Sequence, residues 1–183
     1  MRVLLHTCCG PCAVAPVAWL RDEGHDVTGF WYNPNIHPYT EYQQRLASLR
    51  QFAAAADLPI ICADEYDLEG YLGRAYGREV PQRCRECYSM RLERAAATAL
   101  AGGFAAFSTS LLVSPYQQHD LLHELGEEIG RRQGIPFLYR DFRPQFRSGR
   151  QRAAELGLYR QKYCGCIFSE KERYLKSGGT RGA

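Results

Sequence analysis

The sequence lacks any long run of apolar residues. No stretch of its 183 residues approaches the roughly 20 that a helix needs to cross a bilayer, so we expect no contact with a membrane. A glycine-rich phosphate loop of the dinucleotide or P-loop kind is also missing, which argues against nucleotide binding of that kind. Internal repeats and low-complexity tracts are absent. We therefore expect one domain over residues 1–175, with a disordered tail over 176–183.

Lysine is scarce, and acidic residues nearly balance the basic ones. Arginine supplies 20 of the 23 basic side chains, and the formal net charge is only +3. Seven of the basic residues nevertheless fall between Arg140 and Lys162, interleaved with aromatic rings. Cations that neutralise phosphates, beside rings that stack on bases, predict a nucleic-acid surface, although a solvated basic face has the same pattern. The candidate RNA-binding residues are Arg143, Arg147, Arg150, Arg160 and Lys162.

The N-terminus lacks the features of a secretion signal. Residues 1–5 are too short for its apolar region, and the chain then runs directly to Cys8. We expect a cytoplasmic protein on this ground. In that reducing compartment, cysteine pairs bind metals or catalyse redox reactions more often than they form structural disulfides.

Cysteine, by contrast, is abundant and clustered. Seven of the eight cysteines fall into three tight groups, and Cys62 stands alone. The groups are Cys8-Cys9-Gly10-Pro11-Cys12, Cys84-Arg85-Glu86-Cys87 and Cys164-Gly165-Cys166. Thiolates are preferred ligands of soft metals and of iron–sulfur clusters, and paired thiols also carry out redox chemistry. Buried structural thiols are the alternative, but that reading requires several groups to gather by accident.

Strand-like and helix-like segments alternate along the chain. Five such alternations predict an α/β fold, with a parallel sheet of about five strands wound with helices on both faces in a Rossmann-like manner. Residues 141–172 are expected to lie over the active edge of the sheet, and 64–83 to form a lid or insertion. The predicted strands are Arg2–His6, Asp26–Tyr32, Leu58–Cys62, Phe104–Thr109 and Ile135–Arg140. The predicted helices are Ala13–Glu23, Glu41–Asp57, Arg85–Ala101 and His119–Gln133.

This fold predicts where the first two cysteine groups lie. Functional sites of open α/β sheets lie beyond the carboxyl ends of the strands. Cys8 and Cys9 directly follow the first strand, Cys12 falls near the first turn of a helix, and Cys84 and Cys87 begin another helix. Two such groups indicate a metal site. Four thiolates suit structural zinc and a [4Fe–4S] cluster equally well, so the spacing leaves the metal open.

The third group has a different spacing. A disulfide between Cys164 and Cys166 would close a small strained ring around Gly165, which suits a working redox pair. Two further metal ligands, or two inert thiols, are the alternatives. Cys62 ends a predicted buried strand and is expected in the core. His6 is expected to be a hydrogen-bonded histidine at the end of its strand rather than a metal ligand.

Several long motifs resemble those of one known family. They occur in the right order over residues 2–173, and the sequence resembles the epoxyqueuosine reductase family called QueH. The motifs are Leu4-Leu5-His6-Thr7-Cys8-Cys9-Gly10-Pro11-Cys12, Tyr32-Asn33-Pro34-Asn35-Ile36-His37-Pro38, Arg83-Cys84-Arg85-Glu86-Cys87-Tyr88, Thr109-Ser110-Leu111-Leu112-Val113-Ser114-Pro115-Tyr116 and Gly157-Leu158-Tyr159-Arg160-Gln161-Lys162-Tyr163-Cys164-Gly165-Cys166.

The resemblance implies a reaction and a cofactor. Members of the family are oxidoreductases that deoxygenate epoxyqueuosine to queuosine at the wobble position of tRNA, the last step of queuosine biosynthesis. It further implies a [4Fe–4S] cluster with an adjacent iron ion, no cobalamin, and a fold related to that of ATP-pyrophosphatases. Carried over by motif, the cluster ligands are Cys8, Cys9, Cys84 and Cys87, and the redox pair is Cys164 and Cys166. The partners are tRNA bearing epoxyqueuosine and an external electron donor.

Cys12 has no role in that scheme, and its position near the expected cluster suggests a ligand of the second iron. Two other functions remain open at this point. One is a non-enzymatic zinc module that binds RNA, and the other is an ATP-dependent tRNA-modifying enzyme on the same fold. Iron content separates the first from a reductase, and ATP dependence separates the second.

Overall fold

The fold is an α/β sandwich built on a four-stranded parallel sheet, seen in a computed structural model that describes residues 1–175. The predicted tail, 176–183, lies outside the described residues. The strands are β1 (Arg2–His6), β2 (Asp26–Trp31), β3 (Ile60–Cys62) and β4 (Ala106–Thr109). The α-helices are α1 (Gly10–Asp22), α2 (Tyr39–Ala55), α3 (Leu68–Ala75), α4 (Gln82–Ala101), α5 (His119–Gln133), α6 (Phe146–Glu155) and α7 (Ile167–Leu175), and two short 3₁₀ helices span Ser110–Val113 and Arg143–Gln145.

The sheet places β1 at its centre. The strand order is β3-β2-β1-β4, and all pairs are parallel. His6, the last residue of β1, pairs with Phe30 on one side and Thr109 on the other, so three strands end at the same edge. Every residue of β4 is buried, and so is all of β1 except Arg2. Strands buried on both faces are typical of a sheet covered by helices on either side, which confirms the predicted fold class.

The predicted fifth strand, 135–140, is wrong. Only one bridge forms there, between Phe107 and Phe137. The ladder cannot extend toward the N-terminus because Pro136 stands where the next backbone N–H should donate, and proline has none. It stops in the other direction because the Ser108 hydroxyl donates to the carbonyl of Leu138 at 2.8 Å and takes the place of a backbone donor.

The helices form two packed groups. In one group, α1 packs against both α2 and α6. In the other, α4 packs against α5 and also against strands β1 and β4. Residues 156–166 then connect α6 to α7, and the Gln161 side chain reaches the Cys12 sulfur beyond the end of β1. This contact places the C-terminal segment over the carboxyl edge of the sheet, as the sequence predicts. None of the helices within residues 1–175 is both long and apolar enough to cross a membrane.

Candidate metal centre and active site

Three cysteines gather directly after β1. The sulfur atoms of Cys8, Cys9 and Cys12 all lie within 4.8 Å of one another, and this triad can bind a metal ion. Cys9 caps α1 in an extended conformation, while Cys12 belongs to the first turn of that helix. The turn between them depends on Gly10, because a side-chain carbon at this position would collide with the Ser48 carbonyl oxygen of α2. Because α1 begins at Gly10, the three thiols come together directly after the end of β1.

The triad is poised to hold negative charge. Hydrogen bonding from Cys12 and Cys9 lowers the pKa of Cys8 well below its usual value. Burial raises the pKa of Cys9, while donation to Cys8 raises that of Cys12. These hydrogen bonds favour the thiolate form of Cys8 over those of Cys9 and Cys12. Soft metals bind the thiolate form and displace protons from the remaining thiols, so this arrangement favours capture of a metal cation.

The other four clustered cysteines line a single small cavity. Cys84 and Cys87 come from the first two turns of α4, and Cys164 and Cys166 from the segment that precedes α7. The cavity volume is about 20 Å³, close to the space of one water molecule. Cys87 and Cys166 are buried, whereas Cys164 is exposed. The predicted redox pair therefore adjoins one of the two predicted ligand pairs.

Cys166 lies where a helix begins. Its sulfur accepts the backbone N–H of Ser169 at 3.3 Å, in the first turn of α7. Hydrogen bonding from Cys164 and from this N–H lowers the pKa of Cys166 to about 5, while that of Cys164 is raised in turn. A helix N-terminus stabilises a thiolate through its unpaired donors and its dipole. In the reduced pair, the buried Cys166 carries the charge and the exposed Cys164 carries the proton.

A buried arginine connects the two cysteine groups. Arg91, on α4, is 2 % exposed, and its guanidinium donates to the Cys87 sulfur at 3.1 Å and to the Cys87 carbonyl at 2.8 Å. Burial opposes its charge, but the neighbouring Cys87 and Cys8 raise its pKa above the usual value. No carboxylate pairs with Arg91 anywhere in residues 1–175. A buried cation requires an anionic partner, and the thiols of both groups are the available ones.

A second buried arginine holds the segment around Cys164 in place. Arg45, on α2, is 1 % exposed and pairs with Glu41 at 2.7 Å. Its two terminal nitrogens donate to the backbone carbonyls of Tyr163 and Cys164 at 2.9 and 3.0 Å. Gly165, with φ of 122°, packs directly against this guanidinium, where a side chain would crowd it. Arg45 therefore fixes the conformation of the loop that carries Cys164 and Cys166.

His6 is saturated with hydrogen bonds at the edge of the site. Its Nδ1 lies 2.9 Å from the Thr109 hydroxyl, and its Nε2 lies 3.2 Å from the Asn33 side-chain oxygen. Because Nε2 faces acceptors, it carries the proton, and Nδ1 accepts from Thr109. Burial lowers the pKa of His6 to about 4, so the ring is neutral. Both nitrogens are engaged, which confirms His6 as a hydrogen-bonded strand-end histidine.

Sequence reasoning missed three buried polar residues of the site. Arg91 lies four residues after Cys87 and seven after Cys84, a helical spacing that could have indicated a shared face. Tyr71, on α3, is fully buried, and its hydroxyl lies beside Cys166 in the wall of the four-cysteine cavity. It belongs to the stretch predicted as a lid or insertion. Arg45 gave no signal, since an arginine on a helix is normally taken as a surface residue.

One cysteine lies elsewhere than predicted. Cys62 ends β3 but is exposed, so its assignment to the core is wrong. Strand β3 is at the edge of the sheet, and its three residues are only partly covered. An edge strand loses the protection that a central strand has from neighbours on both sides. The lone cysteine therefore lies outside the site.

The predicted RNA-binding residues are all on the surface. Arg147 and Arg150 project from α6, whose buried side consists of Gly149 and Ala153. Arg143 is also exposed, but its guanidinium pairs with the carboxylate of Asp141 at 2.7 Å. The other two residues, Arg160 and Lys162, are exposed in the segment that leads to Cys164.

The sequence is similar to those of known proteins over nearly all of the described residues. A family model described as epoxyqueuosine reductase QueH matches residues 3–172. The chain belongs to the QueH family. Proteins named epoxyqueuosine reductase QueH are 38 % identical in Dehalococcoides mccartyi, over 96 % of both chains, and 35 % identical in Thermotoga maritima, over 95 % of this chain and 93 % of the relative. A third, from Acinetobacter baylyi, is 36 % identical over 93 % of this chain and 81 % of its own length.

Solved structures show the same fold at much lower sequence identity. A predicted subunit of tRNA methyltransferase from Methanocaldococcus jannaschii aligns with a TM-score of 0.54 at 12 % identity. The alignment covers 85 % of this chain and 76 % of that one. This likeness supports the α/β fold assigned to this QueH family member.

Proposed function

We propose that this protein reduces epoxyqueuosine to queuosine at the wobble position of tRNA. The observation that carries the proposal is the family match over residues 3–172, which includes all seven clustered cysteines. The reaction removes the epoxide oxygen as water and leaves an alkene, which consumes two electrons and two protons. The protein is thus proposed to act as a cytoplasmic oxidoreductase with tRNA as its substrate.

The proposed cofactor is a [4Fe–4S] cluster held by Cys8, Cys9, Cys84 and Cys87, with a second iron at Cys12 and no cobalamin. Soft, buried thiols and two buried guanidiniums suit an anionic thiolate-bound group. Such a group, when bound, supplies one-electron transfer and Lewis acidity. The structure brings Cys12, rather than Cys84, close to Cys8 and Cys9. Iron and sulfide content of the C12S and C84S variants will therefore decide between the two allocations.

Cys164 and Cys166 are proposed to supply the electrons. Oxidation of one thiol and one thiolate to a disulfide releases two electrons and one proton, and solvent supplies the second proton that the reaction consumes. Cys166 is already a thiolate at neutral pH, and the exposed Cys164 is the sulfur that a large substrate or an external reductant can reach. Because the cavity has room for only about one water molecule, the substrate meets the site from the Cys164 side. An external electron donor then reduces the disulfide.

The test is deoxygenation of epoxyqueuosine-bearing tRNA by anaerobically purified protein, with iron, zinc and sulfide measured in the same sample. We expect queuosine formation, together with iron and sulfide. C164S and C166S should lose multiple turnover, while C62S, which alters an exposed cysteine outside the site, should retain it. Full activity in a sample that contains only zinc would contradict the iron–sulfur proposal. Unchanged multiple turnover in C164S or C166S would contradict the dithiol role.

A further inference from the structure

A second cavity lies on the surface beside the cysteine site. It has a volume of about 480 Å³ and is lined by Pro115, Tyr116, Phe146, Arg147 and Arg150. A groove of this size falls in the usual range for small-ligand sites. Its walls come from the loop between the first 3₁₀ helix and α5 and from the first two turns of α6. We call it the aromatic–arginine groove.

The aromatic wall of the groove is open to solvent. Tyr116 is 81 % exposed, which is unusual for so large a ring. It meets Phe146 edge-to-face, with the ring centroids 6.1 Å apart. In this arrangement one face of Tyr116 is available for stacking, and Phe146 supports the ring from the side. Exposed aromatic faces of this kind are the usual stacking platforms for unpaired bases.

The charged wall carries two cations that no carboxylate pairs with in residues 1–175. Within residues 1–175, neither Arg147 nor Arg150 forms an ion pair, and Arg150 lies over the Phe146 ring at 5.4 Å. Their neighbours differ, because Arg143 is paired with Asp141 and Arg152 with Glu155. The groove therefore combines two guanidiniums that lack a carboxylate partner within residues 1–175 with an exposed aromatic ring. An anionic ligand that also has an aromatic ring fits this combination.

The groove has a fixed position next to the cysteine cavity. Gln117 follows Tyr116 in the chain but lines the four-cysteine cavity instead. The Tyr88 hydroxyl donates to the Gln117 side chain at 2.7 Å, and the Gln118 backbone N–H donates to that hydroxyl at 3.2 Å. Tyr88 itself lines the cysteine cavity. These bonds hold the loop, so a ligand in the groove lies one residue away from the wall of the reaction site.

We propose that the aromatic–arginine groove binds an unpaired nucleotide of the anticodon loop that flanks the modified one. Its base stacks on Tyr116, and its phosphates contact Arg147 and Arg150. This inference rests on the proposed function, since it takes tRNA as the substrate. It adds a second anchor that positions the wobble nucleotide at Cys164.

The probe is an anticodon stem-loop RNA, intact or with an abasic nucleotide on either side of the wobble position. Y116A should weaken binding of the intact RNA about tenfold, while Y116F should bind normally because stacking needs only the ring. One of the two abasic RNAs should bind wild-type protein about tenfold more weakly than the intact RNA does. Y116A should bind that abasic RNA with the same affinity as wild-type protein does. R147A and R150A should each reduce the salt dependence of binding by about one phosphate contact. R152A is the matched control, because it removes the same charge from the same helix outside the groove.

Two results would overturn the inference. In one, Y116A binds the intact RNA as tightly as wild type does. In the other, each abasic RNA weakens binding, relative to the intact RNA, by the same factor in Y116A as in wild-type protein. That result would mean that the groove contacts only phosphates and that no base stacks on Tyr116. Tyr116 is exposed, so loss of folding is not expected, and the melting temperature checks this. Failure of the proposed function gives a different result, in which wild-type protein neither binds nor deoxygenates tRNA. Failure of the groove inference alone leaves wild-type protein able to do both, with Y116A equal to it in affinity.

Discussion

Replacing Arg45 with methionine should destabilise the protein by loosening the segment that carries Cys164 and Cys166. The guanidinium makes one ion pair with Glu41 and two hydrogen bonds to the carbonyls of Tyr163 and Cys164. Both charged side chains are nearly inaccessible, at 1 % and 8 % exposure. Methionine fills much of the same space without charge. The loss therefore reports on polar contacts rather than on a cavity.

The magnitude follows from burial. Removing one partner of a buried ion pair costs about 3–5 kcal/mol because the remaining charge stays in the interior. The two charge-assisted hydrogen bonds to carbonyls are worth about 1.5–3 kcal/mol each. They are not added to the cost of breaking the ion pair, because that cost already includes the transfer of the same guanidinium out of water. We expect R45M to lower the free energy of unfolding by about 4 kcal/mol. The double variant E41Q/R45M should recover part of it, since it no longer buries an unpaired carboxylate.

Urea unfolding under reducing conditions, followed by far-ultraviolet circular dichroism, measures the effect. R50M is the matched control, because Arg50 lies on the same helix and pairs with Asp64 only at 3.7 Å on the surface. That change should cost less than about 1 kcal/mol. A loss below about 1 kcal/mol in R45M, or a double variant no more stable than the single one, would refute the argument from a buried charge.

Three further predictions test packing and ionisation. G126A should cost about 1–3 kcal/mol in urea unfolding, because an added methyl group on α5 would overlap the Phe137 ring, and an unchanged midpoint would contradict this packing. Burial lowers the pKa of His37 to about 4 from an unfolded value of about 6.5. Between these pH values the unfolded state binds more protons than the folded state, so stability should fall as the pH drops from about 6.5 to 4. H37F should show a shallower loss of stability between pH 7 and 5, and an identical pH slope would exclude this origin. In metal-free reduced protein, the thiolate absorbance of Cys166 should titrate with a midpoint near pH 5. C164A should raise that midpoint because it removes a hydrogen-bond donor to the Cys166 sulfur. An unshifted midpoint would contradict this role of Cys164.

Much of the fold could be predicted because local pattern and tertiary environment agree there. Strand β1 and helix α5 begin and end where the apolar periodicity places them. The fifth strand failed because the run at 135–140 is apolar enough for a strand, yet the donor position at Pro136 and the Ser108 hydroxyl stop the ladder. The hydrogen bond from the Ser108 hydroxyl to the Leu138 carbonyl depends on the tertiary structure, so the local sequence pattern does not predict it.

The site was predictable in location but not in its internal grouping. Cysteines that follow a strand, or that begin a helix leading back to the sheet, are expected at the carboxyl edge of a parallel sheet, and the triad directly after β1 lies there. Their partition into a triad and a four-cysteine cavity depends on how α4 and the C-terminal segment approach β1. Cys12 joins the triad because α1 begins at Gly10, three residues earlier than its apolar pattern suggests. Cys84 and Cys87 instead share a cavity with the cysteines of the C-terminal segment.

Charge balance explains why the cysteine site is built to hold an anionic group. Arg45 and Arg91 are both buried beside the thiols, and within residues 1–175 only one carboxylate, that of Glu41, pairs with either of them. An unpaired buried cation is costly, so the folded protein is more stable when neighbouring thiols are ionised. Hydrogen bonds from Cys12 and Cys9, with a contribution from the charge of Arg45, lower the pKa of Cys8, whereas hydrogen bonds from Cys164 and the Ser169 N–H lower the pKa of Cys166. Thiolates are the form that binds soft metals, so Arg45 favours binding of a metal ion by the triad.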